Sequence, residues 1–500
     1  MKKARPIMIQ GTASNVGKSI VAAGLCRVFM QDGHRVAPFK SQNMALNSYV
    51  TRDGLEMGRA QVTQAQAAGL EPDVRMNPIL LKPTTDVGSQ VILHGEVVGN
   101  MSAVDYFKYK RTLRPEVQKA YDALAAEYDM VVIEGAGSPA EINLKAEDIV
   151  NMGMAQMADA PVLLVADIDR GGVFASIYGT IALLKPEERS RVKGVIINKF
   201  RGDKTILQSG IDMLTELTAI PILGVLPYLN LDIEDEDSLT DRFSQQADPH
   251  CPLDIAVVRL PRISNFTDFD ALARHPSVGL RYVGAAHGLG TPDLVIVPGS
   301  KSTMTDLLWM RQNGLEAAIK KLAACGTVVA GVCGGYQMLG RLLEDPHQVE
   351  GGGVLRGMEL LDTQTVFSPE KVRTRIGGKV CILTGELAAL SGAVLFGYEI
   401  HMGNTRLCGK TQPFTVLEGG IGDGAVCQNI FGSYVHGLFD GELGNALVNL
   451  LLVRKGLCAE DGVAISAAEH REQQFDLLAA AMRENLDMAA IYKIMEAGAR

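Results

Sequence analysis

A short apolar run, Pro6–Gln10, ends in Gly11-Thr12-Ala13-Ser14-Asn15-Val16-Gly17-Lys18-Ser19 and gives way to a helical pattern over Lys18–Gln31. A strand that breaks at glycine and restarts as a helix turns successive backbone N–H groups toward one point, which makes an anion site at the helix N-terminus. A lysine and a hydroxyl residue closing such a loop serve the outer phosphates and a Mg²⁺ ion. Thr12, Asn15, Val16, Gly17, Lys18 and Ser19 are therefore the candidate nucleotide-binding residues, with ATP and Mg²⁺ as the expected ligands and Ser19 as a metal ligand. The first glycine is Gly11, one residue before the first position of G-x-x-x-x-G-K-[ST], which falls on Thr12. A strand–loop–helix of this kind opens a parallel sheet with helices on its faces.

The next two hundred or so residues keep that rhythm. Nearly continuous apolar runs at Arg35–Phe39, Met130–Ile133, Pro161–Ala166, Gly194–Asn198 and Ile222–Leu226 read as strands buried on both faces. Helical stretches are expected at Met57–Ala68, Pro115–Glu127, Asp148–Met157 and Lys204–Thr218. An acidic polar stretch beginning at Asp232 interrupts the pattern and reads as a linker. A second α/β pattern follows, with strands at Leu253–Val258, Leu294–Val297 and Thr327–Ala330, β-rich sequence from about Gly351 to Tyr434, and helical sequence from Gly441 onward. The expected division is a doubly wound, mostly parallel α/β domain at 1–232, a linker at 233–251 and a second α/β domain at 252–500.

Several charged residues stand at strand ends of the first domain, where ligands of such sheets bind. Glu134 precedes Gly135-Ala136-Gly137 and is a candidate Mg²⁺ ligand, or else a loop glutamate. Lys40 is placed for substrate or phosphate. Asp167 and Asp169 suit a metal or a substrate, and Arg170 between Asp169 and Gly171 suits a carboxylate; the alternative is a polar turn. Asn198 follows a late strand and is a candidate for the nucleotide base.

The second domain carries a different chemistry. Cys333 stands in Gly331-Val332-Cys333-Gly334-Gly335, between a buried strand and a helix. Flanking glycines permit the sharp strained turn that exposes a nucleophile, and a helix N-terminus favours its thiolate. The N–H of Gly334 is a candidate oxyanion donor, with a second from Pro298-Gly299-Ser300-Lys301. His436, at the end of an apolar run in Ser433-Tyr434-Val435-His436-Gly437, is the candidate base. His401 is its rival, expected nearer the substrate.

Composition limits the remaining classes. A net charge of −9 and a pI near 5.6 oppose a general nucleic-acid or anionic-membrane surface. No apolar run is long enough to span a bilayer. The 8 cysteines form no CxxC pair, so neither a zinc site nor a disulfide framework is signalled, and a reduced, cytoplasmic protein is expected. The expected partners are small molecules; the oligomeric state is left open.

The phosphate loop resembles the dethiobiotin synthetase branch of phosphate-loop enzymes, with its G-T-x-[ST]-x-V-G-K-[ST] pattern. Related partition ATPases carry a second lysine where Ala13 stands. The second domain resembles class I glutamine amidotransferases, many of which place a glutamate two residues after the histidine; Leu438 stands there, so the orienting group must come from elsewhere, Glu399 being one candidate. In this order the two domains, together with segments such as Lys40–Ser48, Asn143–Met152 and Gly397–Gly403, are similar to the cobyrinic acid amidating enzymes of cobalamin biosynthesis. The resemblance implies ATP- and glutamine-dependent amidation of the b, d, e and g carboxylates of adenosylcobyrinic acid a,c-diamide, a role for Asp148 in orienting substrate or amine (or as a helix cap), and a local cationic pocket from Lys40, Arg59, Lys82, Lys145 and Arg170. The sister enzyme that amidates positions a and c, and a non-catalytic nucleotide switch, are the alternatives.

Overall fold

The computed structural model describes residues 4–84, 87–233, 250–409, 411–459 and 467–499. Most of the expected linker therefore lies outside the described residues. By its internal contacts the chain forms two compact units, one of Met1–Ala45, Leu55–Glu236 and Ala468–Arg500, the other of Leu46–Gly54 and Asp237–Ala467.

The first unit is built on a six-stranded sheet of β1 (Arg5–Gly11), β2 (Val36–Phe39), β3 (Met130–Glu134), β4 (Val162–Asp167), β5 (Val192–Phe200) and β6 (Ile222–Pro227) in the order β6-β5-β4-β1-β3-β2. Every pairing is parallel. Val, Ile and Leu fill these strands because helices cover both faces, which leaves no side of the pleat for polar residues. The chain order reverses about β1, so the loops after β1, β3, β4 and β5 open on one edge around α1 (Lys18–Gln31).

The second unit carries a six-stranded sheet of β7 (Leu253–Val258), β8 (Val278–Val283), β9 (Leu294–Val297), β10 (Val328–Val332), β13 (Ala425–Cys427) and β14 (Ile430–Ser433), ordered β8-β7-β9-β10-β14-β13. It is parallel except at β13–β14. Between β10 and β13 the long strands β11 (Thr363–Val380) and β12 (Val394–Leu407) pair antiparallel, and β12 also pairs with β15 (Val435–His436). Helix α2 (Thr303–Gln312) follows β9, and α3 (Gly334–Leu339) follows β10.

The expected boundary fails in two places. The final helices α4 (Ala467–Asn485) and α5 (Met488–Ala497) belong to the first unit. Phe475, Leu478, Ala479 and Met482 are buried in one core with Val21, Leu25 and Phe29 of α1. Gly24 on α1 makes this approach possible, since a Cβ there would stand 2.8 Å from Met482. Arg27 reaches Glu472 at 2.8 Å and Asp476 at 2.7 Å across the seam. Conversely, the short segment Leu46–Gly54 belongs to the second unit, where the Ser48 and Val50 carbonyls accept from Tyr398 Oη and Arg375 Nε. Among the described residues no helix is long and apolar enough to cross a membrane.

Candidate active sites

In the first unit β1 ends at Gly11 and α1 begins at Lys18, with Asn15 (φ 59°) and Gly17 (φ 99°) left-handed between them. Gly17 has a second constraint: a Cβ would stand 2.0 Å from Asn198 Nδ2. Asn198 uses that amide to donate to the Val16 carbonyl at 2.9 Å, so its visible work is to brace the loop. Lys199 beside it donates to the Asn15 carbonyl at 2.6 Å and to Asp167 at 2.9 Å. Lys18 Nζ arches back to the Ala13 carbonyl at 2.9 Å and the Gly137 carbonyl at 3.1 Å. Thr12 is anchored by its own N–H, which donates to the Val165 carbonyl.

Glu134 is the centre of this edge. It is fully buried at the end of β3, where Oε1 accepts from Ser19 Oγ at 2.8 Å and Lys40 Nζ at 3.0 Å, and Oε2 accepts from Gln64 at 2.5 Å. Among the described residues no group of three or more His, Cys, Asp or Glu forms a metal cage. One carboxylate with an adjacent hydroxyl nevertheless suits Mg²⁺, a hard cation that keeps waters and takes phosphate oxygens as its other ligands.

Other expectations for this edge change. Asp148 accepts the N–H groups of Val150, Asn151 and Gly153, which commits both its oxygens to the turn before the next helix. The expected cationic pocket is largely neutralised by carboxylates: Lys40 sits on Glu134, Lys82 on Glu56 at 3.0 Å and Lys145 on Glu188 at 2.8 Å. Lysines this buried require such partners. Asp169 pairs with Arg201 at 2.9 Å, and Arg170 is exposed in the turn between β4 and the following helix. Gln64 and Lys199 were missed; a signal for the first was the polar Gln61 and Gln64, three apart on an otherwise apolar helix face.

In the second unit Cys333 stands between β10 and α3 with φ 51° and ψ −108°, a strained conformation that the neighbouring glycines accommodate. A Cβ on Gly335 would meet the Val297 carbonyl oxygen at 1.9 Å, and one on Gly334 would meet Ser300 N at 2.9 Å. The elbow and the Pro298–Lys301 turn are thus in backbone contact. The thiol lies 3.7 Å from the Ile400 carbonyl.

His436 is buried and stacks on the Tyr398 ring at 5.3 Å between centroids. The group that orients it is Asp268, not Glu399: Asp268 Oδ2 is 2.7 Å from His436 Nδ1, and Oδ1 accepts the Gly437 N–H at 3.0 Å. Burial resists charging the imidazole, yet Asp268 and Cys333 outweigh it and lift His436 to about 10. Glu399 is half-buried; burial and Asp423 push its carboxyl up to about 7 against the pull of His436. His401 stacks on Tyr434 at 3.7 Å and is bonded through Nδ1 to the Gly403 carbonyl; burial drives it down to about 4, so it stays neutral and makes a poor rival base. No sequence pattern announced Asp268, which sits in the turn Phe266–Phe269.

Residues 7–238 match the family model of the CobQ/CobB/MinD/ParA nucleotide binding domain, and residues 254–443 match that of the CobB/CobQ-like glutamine amidotransferase domain. Across its length the chain is similar to curated proteins called cobyric acid synthase. The identity is 55% with that of Ruminiclostridium cellulolyticum, covering 99% of this chain and 98% of the relative. It is 56% with that of Yersinia enterocolitica, covering 98% of each, and 53% with that of Listeria monocytogenes, covering 98% and 97%.

Proposed function

The chain belongs to the cobyric acid synthase family, and from that premise we propose how its two sites divide one reaction. The reaction is the ATP- and glutamine-dependent amidation of the b, d, e and g carboxylates of adenosylcobyrinic acid a,c-diamide in cobalamin biosynthesis. The a,c-diamide-forming alternative is not favoured, because the full-length similarity is to the other enzyme.

The observation that carries the glutaminase half is the buried Asp268–His436 pair, whose imidazole is electrostatically coupled to a cysteine in a strained elbow. An imidazolium held by Asp268 stabilises a thiolate at Cys333. The sulfur adds to the amide carbon of glutamine, and the proton on His436 passes to the departing nitrogen, so ammonia leaves and a thioester remains. His436, now neutral, takes a proton from water as it attacks the thioester; the C–S bond breaks, glutamate leaves and the thiolate–imidazolium pair is restored. N–H groups at the start of α3 face the oxygen that gains charge in both steps.

In the other unit, the loop amides and Lys18 would hold the triphosphate of ATP, with Ser19 and Glu134 as the protein ligands of Mg²⁺. That ion supplies charge neutralisation at the phosphates when bound. A carboxylate is a poor electrophile; transfer of the terminal phosphoryl group to it makes an acyl phosphate, and attack by ammonia then displaces phosphate and leaves the amide. Asn198 and Lys199 keep the loop in shape for this. Arg170, exposed at the same sheet edge, and Asp167 are the residues we assign to the polycarboxylate side. The cytoplasm, with its ATP and reduced thiols, suits this chemistry.

The test replaces Cys333 with alanine. Glutamine-dependent amidation is expected to vanish while amidation driven by ammonium salts persists. Loss of both activities in a folded variant would overturn the division.

A further inference from the structure

Beside the elbow lies a polar cluster that the thiol chemistry leaves unused. Gln337 lies in α3 four residues after Cys333, and its N–H donates to the Cys333 carbonyl at 3.1 Å. It is buried; its Nε2 donates to Tyr434 Oη at 3.1 Å, and its Oε1 accepts from Thr303 Oγ1 at 3.2 Å. On the other side of Thr303 stands Glu350. Its Oε1 lies 3.4 Å from the same hydroxyl, and its Oε2 accepts the Met304 N–H at 3.2 Å. Both contacts are long, and an ionised carboxylate has about four acceptor positions, so capacity remains for a further donor. Burial pushes the Glu350 carboxyl up to about 7, against the pull of the neighbouring Lys301 ammonium.

Free glutamine brings two charges with its reactive amide, an α-ammonium and an α-carboxylate. A site that selects the free amino acid needs an acid and a base at one side-chain length from the nucleophile. We propose that Glu350 receives the α-ammonium of the glutamine presented to Cys333, and that Lys301 receives its α-carboxylate. The assignment rests on the glutaminase reading above. It explains why a carboxylate is retained next to a buried Gln–Thr–Tyr network where an apolar residue would cost less. It also gives the site a way to refuse glutaminyl side chains within peptides, whose α-nitrogen is an uncharged amide.

The test measures ammonia release from L-glutamine and from glutaramate, which keeps the amide and carboxylate but has no α-ammonium. It uses the full-length wild-type chain and the Glu350→Gln and Lys301→Met variants. Charged hydrogen bonds of this kind correspond to about 10- to 100-fold. Glu350→Gln is expected to lower kcat/KM for glutamine by that factor, chiefly through KM, and to narrow the preference for glutamine over glutaramate equally. Lys301→Met is expected to lower both substrates together. A glutamine preference that survives Glu350→Gln would overturn the proposal, as would an equal fall on both substrates, which would mean that Glu350 merely holds the start of α2. A wild-type chain that releases no ammonia from glutamine would instead sink the glutaminase reading itself.

Discussion

Asp268 Oδ2 lies 2.7 Å from His436 Nδ1, although the two stand 168 positions apart in the chain, and both side chains are buried. The other carboxylate oxygen holds the N–H of Gly437, so the acid is aimed by the backbone that directly follows the base it orients.

Asp268→Asn keeps the shape of this pair and removes its charge. The asparagine can present its NH₂ to Nδ1 and favour the wrong tautomer. Glutamine hydrolysis is expected to fall about 10²- to 10⁴-fold in kcat. Steady-state ammonia release checks this; an unchanged kcat would show that Asp268 does not orient the base.

The same variant has a pH signature. His436 is raised from 6.5 to about 10 despite its burial, chiefly by Asp268. A group raised on folding contributes stability that is fully present below its unfolded pKa and lost as pH rises through the folded one. The Tm difference between wild type and Asp268→Asn should therefore be widest below pH 6.5 and shrink toward pH 10. Melts across that range read it directly.

Lys40→Met strips a buried cation from Glu134. A broken buried pair costs about 3–5 kcal/mol, and the lower end is expected because Ser19 and Gln64 still donate to the carboxylate. The variant should lose stability in urea and require less Mg²⁺ for ATP turnover, because the carboxylate loses a competing cation. Unaltered Mg²⁺ dependence would separate Lys40 from the metal site.

Phe475→Ala opens a hole between α4 and α1. A fully buried phenylalanine truncated to alanine costs about 3–5 kcal/mol. ATP-dependent activity should show the greater heat sensitivity, with glutamine hydrolysis surviving to higher temperature. Equal loss of both would mean that the C-terminal helices do not serve the first unit alone.

Local pattern made much of this molecule legible. The helix Lys18–Gln31 begins and ends where expected, and β7 and β9 coincide with their apolar runs, because strands buried on both faces leave an unbroken hydrophobic signature. The strand Val278–Val283 was missed: it lies at the sheet edge and carries Arg281, bound to Asp254, in the middle of its run. The bends after β1 and at Cys333 were legible because glycines mark where backbone must turn. Asp268 was not, since a carboxylate in an ordinary turn acquires its role only when a strand far along the chain arrives beside it. The return of α4 to α1 was hidden for the same reason: an amphipathic helix announces an apolar face but not its partner. Buried lysines such as Lys40 and Lys82 looked like free charge, because sequence displays cations without their counterions.

The position of α4 and α5 also sets an order of events at the ribosome. The nucleotide-binding unit is the first to be translated, yet the core that Val21, Leu25 and Phe29 share with Phe475, Leu478 and Met482 is completed only when α4 emerges. The amidotransferase unit, made entirely from residues that precede them, has all its strands in hand earlier. The half of the molecule that is begun first is thus the last to close, and its core waits through most of synthesis for its final pieces.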